Sequence, residues 1–396
     1  MPTSKIISVR ATPVTVPTKR PCAWSFGVSY GFTRTILELT SDDGRVGLGE
    51  CEGSGAADLL SRRLGPKLIG LPAHDMAAAW RLCHMDLHDH GCLSDPGQVK
   101  AYAAIEMAMW DLLGKAAGKP VFELLGGAVR PRAEFGAYGY SFVLSPGGLA
   151  EEQVPEAMAA QAKQSVARSG ARVFEFKVGR YSAATDVAAI RAVRKALGDA
   201  AVMGADANQA LDFEGSRRLM RAAAEAGLGW FEEPVSTLGN MVRLYREFHV
   251  PISSHCTEMD TVRFYPEIAG IVGDVHVQGG IRGMMRSAAA FRAMGHQFWL
   301  RSSFELGISW AAMVHVGISC PDLTRASQSL VDYIEDDLVT GPAWLLEAGG
   351  VVPPHRPGLG VELDRDALER YAGFFRSHGE LDHFGSDQDG ISAPLA

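Results

Sequence analysis

Between Ile6 and Glu50, apolar and polar residues alternate in three runs, Ile6–Val14, Phe32–Thr40 and Val46–Glu50, as half-buried strands do. Ser41-Asp42-Asp43-Gly44 lies between the last two and predicts a hairpin turn. The period then lengthens: Tyr102, Ile105, Met109 and Leu112 recur at helical spacing and predict a helix over 98–116. Gly118-Lys119-Pro120 and Gly126-Gly127 end it. Strands followed by helices make residues 1–132 an α+β unit.

From Ala133 the pattern changes to short apolar runs, each followed by a helical stretch. The runs are Glu134–Tyr140, Val173–Gly179, Ala201–Ala205, Gly229–Glu233, Pro251–His255, Val272–Val277 and Phe298–Ser303. Val187, Ile190, Val193 and Leu197 form one helical stripe, opened by Thr185-Asp186 as a capping signal. Alternating strands and helices imply right-handed crossovers and a parallel sheet, and this many units suggest a closed (β/α) barrel over 133–345. Pro353-Pro354 and Pro357-Gly358 then cut off a segment, 346–396, with one more helix near Asp366–Ser377 and a polar end.

The ionisable residues follow the same period. Lys177, Asp206, Glu232, His255, Asp274 and Arg301 each fall at or just past the end of an apolar run, 29, 26, 23, 19 and 27 residues apart. In a barrel the C-terminal strand ends converge on one mouth, so this spacing predicts a shared cavity.

Composition narrows the classes. The chain has 396 residues, 47% apolar and 21% charged, enough to bury a core and too ordered in pattern for a disordered polymer. Its 44 glycines exceed the roughly 7% of an average chain and suit many strand-to-helix turns. A net charge of −8 without a basic block argues against a nucleic-acid partner. No apolar run reaches the roughly 18–20 residues that span a bilayer, so no membrane partner is expected. Cys22, Cys51, Cys83, Cys92, Cys256 and Cys320 are scattered, form no C-x-x-C and follow no signal peptide, which points to reduced thiols and a cytoplasmic protein.

Asp206, in Gly204-Ala205-Asp206-Ala207-Asn208-Gln209, and Glu232, in Trp230-Phe231-Glu232-Glu233-Pro234, close apolar strands where an unpaired carboxylate is costly. Two such oxygens with water and a substrate carboxylate would suit Mg²⁺; capping of the next helices is the alternative. Lys177 shares a strand face with Glu175, about 7 Å away. A divalent ion beside the lysine favours the neutral form that a general base requires, whereas Glu175 favours the charged one. A plain Lys177–Glu175 ion pair is the other reading.

The combination of FKVG at Lys177, the D-x-N-Q strand, WFEEP, Asp274–Gly280 and the amino-terminal DDGRVGLGE resembles the enolase superfamily, of the mandelate racemase/muconate lactonizing enzyme type. Glu305–Ser309, His315-Val316, PPHRPGLGVEL and Tyr138–Phe142 look most like its glucarate dehydratase branch. The resemblance implies a modified (β/α)₇β TIM-type barrel under an N-terminal α+β capping domain, with the tail returning to that domain, and a homo-oligomer. It implies Lys177 as the base, Asp206 and Glu232 as metal ligands and Asn208 as a substrate contact; Glu175, Glu305 and Tyr140 fall among the substrate-binding positions.

Three positions depart from the family pattern. Glu175 replaces the first lysine of K-x-K. His255 stands where the third metal ligand belongs; if it ligates, Mn²⁺ or another divalent ion replaces Mg²⁺, with Glu258 or a purely structural histidine as alternatives. Arg301 occupies the slot of a catalytic histidine paired with the aspartate that Asp274 matches. Arginine is no ordinary base, but it can clamp a carboxylate or form an ion pair with Asp274. One base, Lys177, argues against racemisation. The implied activity is a hydro-lyase: proton abstraction α to a carboxylate of a sugar acid (aldonate or aldarate), ene-diolate stabilisation by the metal, and loss of the β-hydroxyl to give a 2-keto-3-deoxy acid. A cycloisomerase or epimerase, or a catalytically silent ligand-binding homologue, are the alternatives. Trp24–Phe32 reads as a mobile lid or a surface turn.

Overall fold

The computed structural model describes residues 4–84, 96–145, 148–340, 346–352 and 355–381. Cys92, the Pro353-Pro354 break and the polar end beyond 381 lie outside the described residues. The other five cysteines are free. No helix among the described residues is long and apolar enough to cross a membrane.

Strands β1 (Ile6–Trp24), β2 (Gly27–Ser41) and β3 (Val46–Glu52) form an antiparallel meander. Helices α1 (Met76–His84) and α2 (Pro96–Ala117) follow it. A side chain at Gly47 or Gly49 would place its Cβ 2.1 or 2.0 Å from the carbonyl oxygens of Ala108 and Ala104, so the glycines of β3 let α2 lie flush on the sheet. The segment 24–32 is the tip of the β1–β2 hairpin, with its turn at Ser25-Phe26. After a register shift between Pro17 and Cys22, pairing resumes at Cys22↔Ser29 and runs to Trp24↔Gly27, and the hairpin tip reaches the barrel, where Ser25 Oγ donates to Ala207 O at 3.2 Å.

Seven parallel strands follow in chain order: β4 (Ala137–Gly139), β5 (Val173–Lys177), β6 (Val202–Asp206), β7 (Trp230–Glu232), β8 (Ile252–Ser254), β9 (Gly270–Gly273) and β10 (Gln297–Leu300). Helices α3 (Val154–Ser169), α4 (Ala183–Leu197), α5 (Phe213–Glu225), α6 (Leu238–Phe248), α7 (Ile281–Ala293) and α8 (Gly307–Ser319) accompany them. The segment 324–328 is the eighth stave. Thr324 N and Gln328 N donate to Phe298 O and Leu300 O at 3.0 and 2.8 Å on one side, while Ser327 N and Gly136 N bond across the other at 2.9 and 2.8 Å. This closes the modified (β/α)₇β barrel, with the antiparallel amino-terminal unit over it.

Register decides what the mouth contains. Lys177 pairs with Asp206 and Asp206 with Glu232, so three ionisable side chains end neighbouring strands at one level. The helix caps are other residues: Asp212 accepts from Gly215 N at 2.6 Å and Thr237 from Asn240 N at 3.3 Å, leaving Asp206 and Glu232 free of that role. Helix α4 starts earlier than Thr185-Asp186 suggests. Ser182 caps it, and the buried Asp186 carboxylate instead accepts from Gly179 N at 2.8 Å.

The last helix, α9 (Arg365–His378), packs on β1, and Thr15 Oγ1 donates to Gly379 O at 2.9 Å. Gly350–Val351 pairs with Ala133–Glu134 at the barrel's start. The tail therefore touches both the amino-terminal unit and the barrel.

Candidate active site

Asp206, Glu232 and His255 come from three consecutive staves and offer ligand atoms that all lie within 4.8 Å of one another. His255 Nε2 is 2.9 Å from Glu232 Oε1. Around them, Tyr138 Oη donates to Asp206 Oδ2 at 3.1 Å and Ser253 Oγ to Glu232 Oε2 at 3.3 Å. Glu233, in the left-handed region at φ 41°, accepts from His255 N at 3.0 Å, Ser254 Oγ at 2.9 Å and Gln209 Nε2 at 2.9 Å, tying the ends of β6, β7 and β8 together. Two buried carboxylates and an imidazole converging on one point are a donor set that fits a divalent cation.

Lys177 Nζ donates to Asp206 Oδ2 at 2.5 Å and to Asn208 Oδ1 at 2.6 Å. Burial opposes ionisation of Asp206, but Lys177 and then His255 outweigh it and hold its carboxyl below the usual range. Glu175 lies one residue pair deeper on the same strand face. Burial, then the negative Glu232 and Asp206, push its carboxyl well above the usual range. Gln328 Nε2 faces Glu175 at 3.1 Å and Glu232 at 3.3 Å, joining this deeper layer to the metal-site carboxylate.

At the other side of the mouth Arg301 Nη2 lies 2.7 Å from Asp274 Oδ2. Burial opposes the charge of Asp274, yet Arg301, His276 and Ser303 hold its carboxyl well below the usual range; Asp274 in turn raises Arg301 further despite its burial. A second trio, Glu52, Asp274 and His276, also gathers within 4.8 Å. Its charge is already compensated by Lys100 on Glu52 and Arg301 on Asp274. Two cations thus face its two carboxylates, whereas Lys177 alone faces those of the first trio, which makes the first the better cation site.

Between barrel and amino-terminal unit is a cavity of about 500 Å³. Lys177, Asn208, Glu233, Arg301 and Tyr140 line it from the barrel; Trp24 and Phe26 from the hairpin tip; Arg34, Glu52 and Lys100 from β2, β3 and α2. Arg34 and Glu52 are cross-strand partners in the meander.

Residues 157–367 match the family described as enolase C-terminal domain-like, and residues 6–126 match the mandelate racemase/muconate lactonizing enzyme N-terminal domain. The chain belongs to the enolase superfamily. Within it, the chain is 30% identical to a "Probable glucarate dehydratase" of Streptomyces coelicolor over 92% of this chain and 90% of that one. It is 28% identical to the chloromuconate cycloisomerase CbnB of Cupriavidus necator over 93% and 99%. A Pseudomonas fluorescens enolase solved with magnesium, potassium and tartrate superposes with a TM-score of 0.86 at 26% identity, covering 96% of this chain and 94% of that one.

In this enolase-superfamily member the residues singled out by sequence fall into two groups. Lys177, Asn208, Arg301 and Tyr140 line the cavity. Asp206, Glu232 and His255 form one group beside Lys177, and Asp274 belongs to a second group and pairs with Arg301. Glu175 and Glu305, read as substrate-binding, are 3% and 2% exposed and are not among the lining side chains. Glu305 instead accepts from Ser302 Oγ at 2.5 Å and Ser303 N at 2.7 Å. Glu258 is exposed and lines a different cavity. Sequence reasoning gave no site role to Tyr138, Gln328, Arg34, Glu52 or Lys100. Tyr138 alone carried a signal, alternating with Tyr140 on one strand.

Proposed function

We propose that this protein is a metal-dependent dehydratase of a polyhydroxy carboxylic acid, an aldonate or aldarate, with Lys177 as its single proton-abstracting base. The observation that carries this reading is the asymmetry of the mouth. Lys177 enters from the second stave and Arg301 from the seventh, on either side of the three metal-site staves. One side therefore has an amine that can take a proton; the other has a guanidinium locked to Asp274, which holds its protons.

Asp206, Glu232 and His255 would hold a divalent cation, which would supply positive charge against the substrate carboxylate. Lys177 Nζ has Asp206 and Asn208 as its polar partners here; with Asp206 engaged in ligation, the Asn208 amide oxygen holds the amine toward the cavity. The amine takes the α-proton, the electron pair of the C–H bond forms the double bond, and the β-hydroxyl leaves as water with the proton that Lys177 carries. The enol product ketonises to the 2-keto-3-deoxy acid, so the net change is loss of one water. Arg301 and Lys100 present N–H donors to hydroxyl or second carboxylate oxygens of the acid, and the aromatic hairpin tip covers them. The relative named glucarate dehydratase supports this class.

The cycloisomerase relative favours a second reading, ring closure through the same carbanion chemistry. Incubation of the protein and Mg²⁺ or Mn²⁺ with a panel of sugar acids and muconates in D₂O separates them. The dehydratase reading expects a new 2-keto acid; lactone formation, or α-deuteration with the carbon skeleton intact, contradicts it.

A further inference from the structure

We infer that the His255 imidazole is a direct metal ligand and shifts this site's preference away from Mg²⁺ toward first-row transition ions and Zn²⁺, with Mn²⁺ the least favoured of these. The inference uses the metal site of the proposed function, but its test needs no turnover, so the two can fail separately.

Three observations converge on it. The His255 Nε2 edge faces into the acid pair, 2.9 Å from Glu232 Oε1, within the group of donors that share one 4.8 Å neighbourhood. The oxygens that could replace it as third ligand are committed or remote. The Glu233 carboxylate is held by Ser254 Oγ, His255 N and Gln209 Nε2, and Glu258 lines another cavity. Finally, the backbone of His255 is fixed by its own N–H on Glu233, so the ring is set on the metal side by the stave end and not by a free loop.

Chemistry then selects the ion. Mg²⁺ is hard, takes oxygen ligands in near-ideal octahedral geometry and gives up water reluctantly. An imidazole nitrogen among two carboxylates instead suits first-row transition ions and Zn²⁺, whose affinity for nitrogen donors is higher. The superposable Pseudomonas fluorescens enolase was solved with magnesium, so the family fold itself does not demand the softer ion. The change is local to this side chain.

The test uses the full chain stripped with a chelator. Mn²⁺ is added and its pulsed electron-paramagnetic spectrum recorded, then Mg²⁺ is titrated as competitor, for the native protein, His255→Glu and His255→Asn. The native protein should show modulation from a coordinated imidazole ¹⁴N, and both substitutions should remove that signal while Mn²⁺ stays bound. The Mg²⁺ needed to displace half the Mn²⁺ should fall by about tenfold in His255→Glu. Absence of the ¹⁴N signal in native protein with Mn²⁺ bound, or an unchanged competition ratio, overturns the inference. A nitrogen signal that survives both substitutions places the ion on His276 and also overturns it. If one variant does not fold, by circular dichroism, the other decides.

Discussion

Arg301 Nη2 and Asp274 Oδ2 lie 2.7 Å apart, and Ser303 Oγ donates to the same carboxylate oxygen at 2.9 Å. The pair closes the side of the mouth opposite Lys177 with a group that cannot accept a proton. Arg301→His places a titratable ring against Asp274. The expected outcome is solvent deuterium appearing at the α-carbon of unreacted substrate, with none for the native protein, read by ¹H NMR. Equal exchange in both would show that Arg301 is not what keeps the chemistry one-sided.

Removing that guanidinium altogether leaves Asp274, 3% exposed, without its nearest cation. Loss of one partner from a buried pair costs about 3–5 kcal/mol. Arg301 is 29% exposed, so solvent screening reduces this to roughly 2 kcal/mol for Arg301→Met. Urea unfolding of the two proteins measures it; a loss under about 0.5 kcal/mol would contradict a buried, paired carboxylate.

His315 gives the pH dependence a sign. Its Nδ1 accepts from Phe122 N at 3.2 Å and its Nε2 donates to Leu359 O at 3.1 Å, an arrangement open only to the neutral ring, and burial lowers its pKa to about 4. The folded pKa lies below the unfolded value near 6.5, so the unfolded chain binds the extra proton first. Stability is therefore full above about pH 6.5 and falls as pH drops toward 4, by up to about 3 kcal/mol from this group. His315→Gln should flatten that slope; an unchanged slope from pH 6.5 to 4 removes His315 as its source.

Gln328 joins Glu175 to Glu232 from the eighth stave. Gln328→Leu removes the amide that holds Glu232 in place, and loss of such a ligand-orienting contact weakens metal affinity by about 10–100-fold. Calorimetric titration with Mn²⁺ measures the change. An unaltered affinity would show that Glu232 is positioned without it.

Much of this architecture is legible in the chain because the barrel repeats. Lys177, Asp206 and Glu232 stand out as charges ending apolar runs, and parallel register brings them to one level. Depth within the barrel is not legible. Glu175 and Lys177 share a strand face by alternation, yet one residue pair moves Glu175 from the mouth into the buried layer beneath. Gln328 lies on a stave without strand periodicity, held by isolated hydrogen bonds, and so leaves no pattern. Arg34 and Glu52 do lie on readable strands, but which meander face meets the barrel follows from tertiary packing against α2, where Gly47 and Gly49 admit the helix. The hairpin tip at 24–32 reads as loop since its glycines and aromatics hide a ladder that the barrel surface stabilises.

In the proposed reaction one amine, that of Lys177, removes the α-proton. The most direct test of that step is the yield of 2-keto acid from Lys177→Met beside native protein, both loaded with the same divalent ion and with ion binding verified. Loss of a positioned base lowers turnover by about 10²–10⁴-fold or more, and that drop, with ion affinity and fold retained, is the expected result. Keto-acid formation within a factor of a few of the native rate would contradict it.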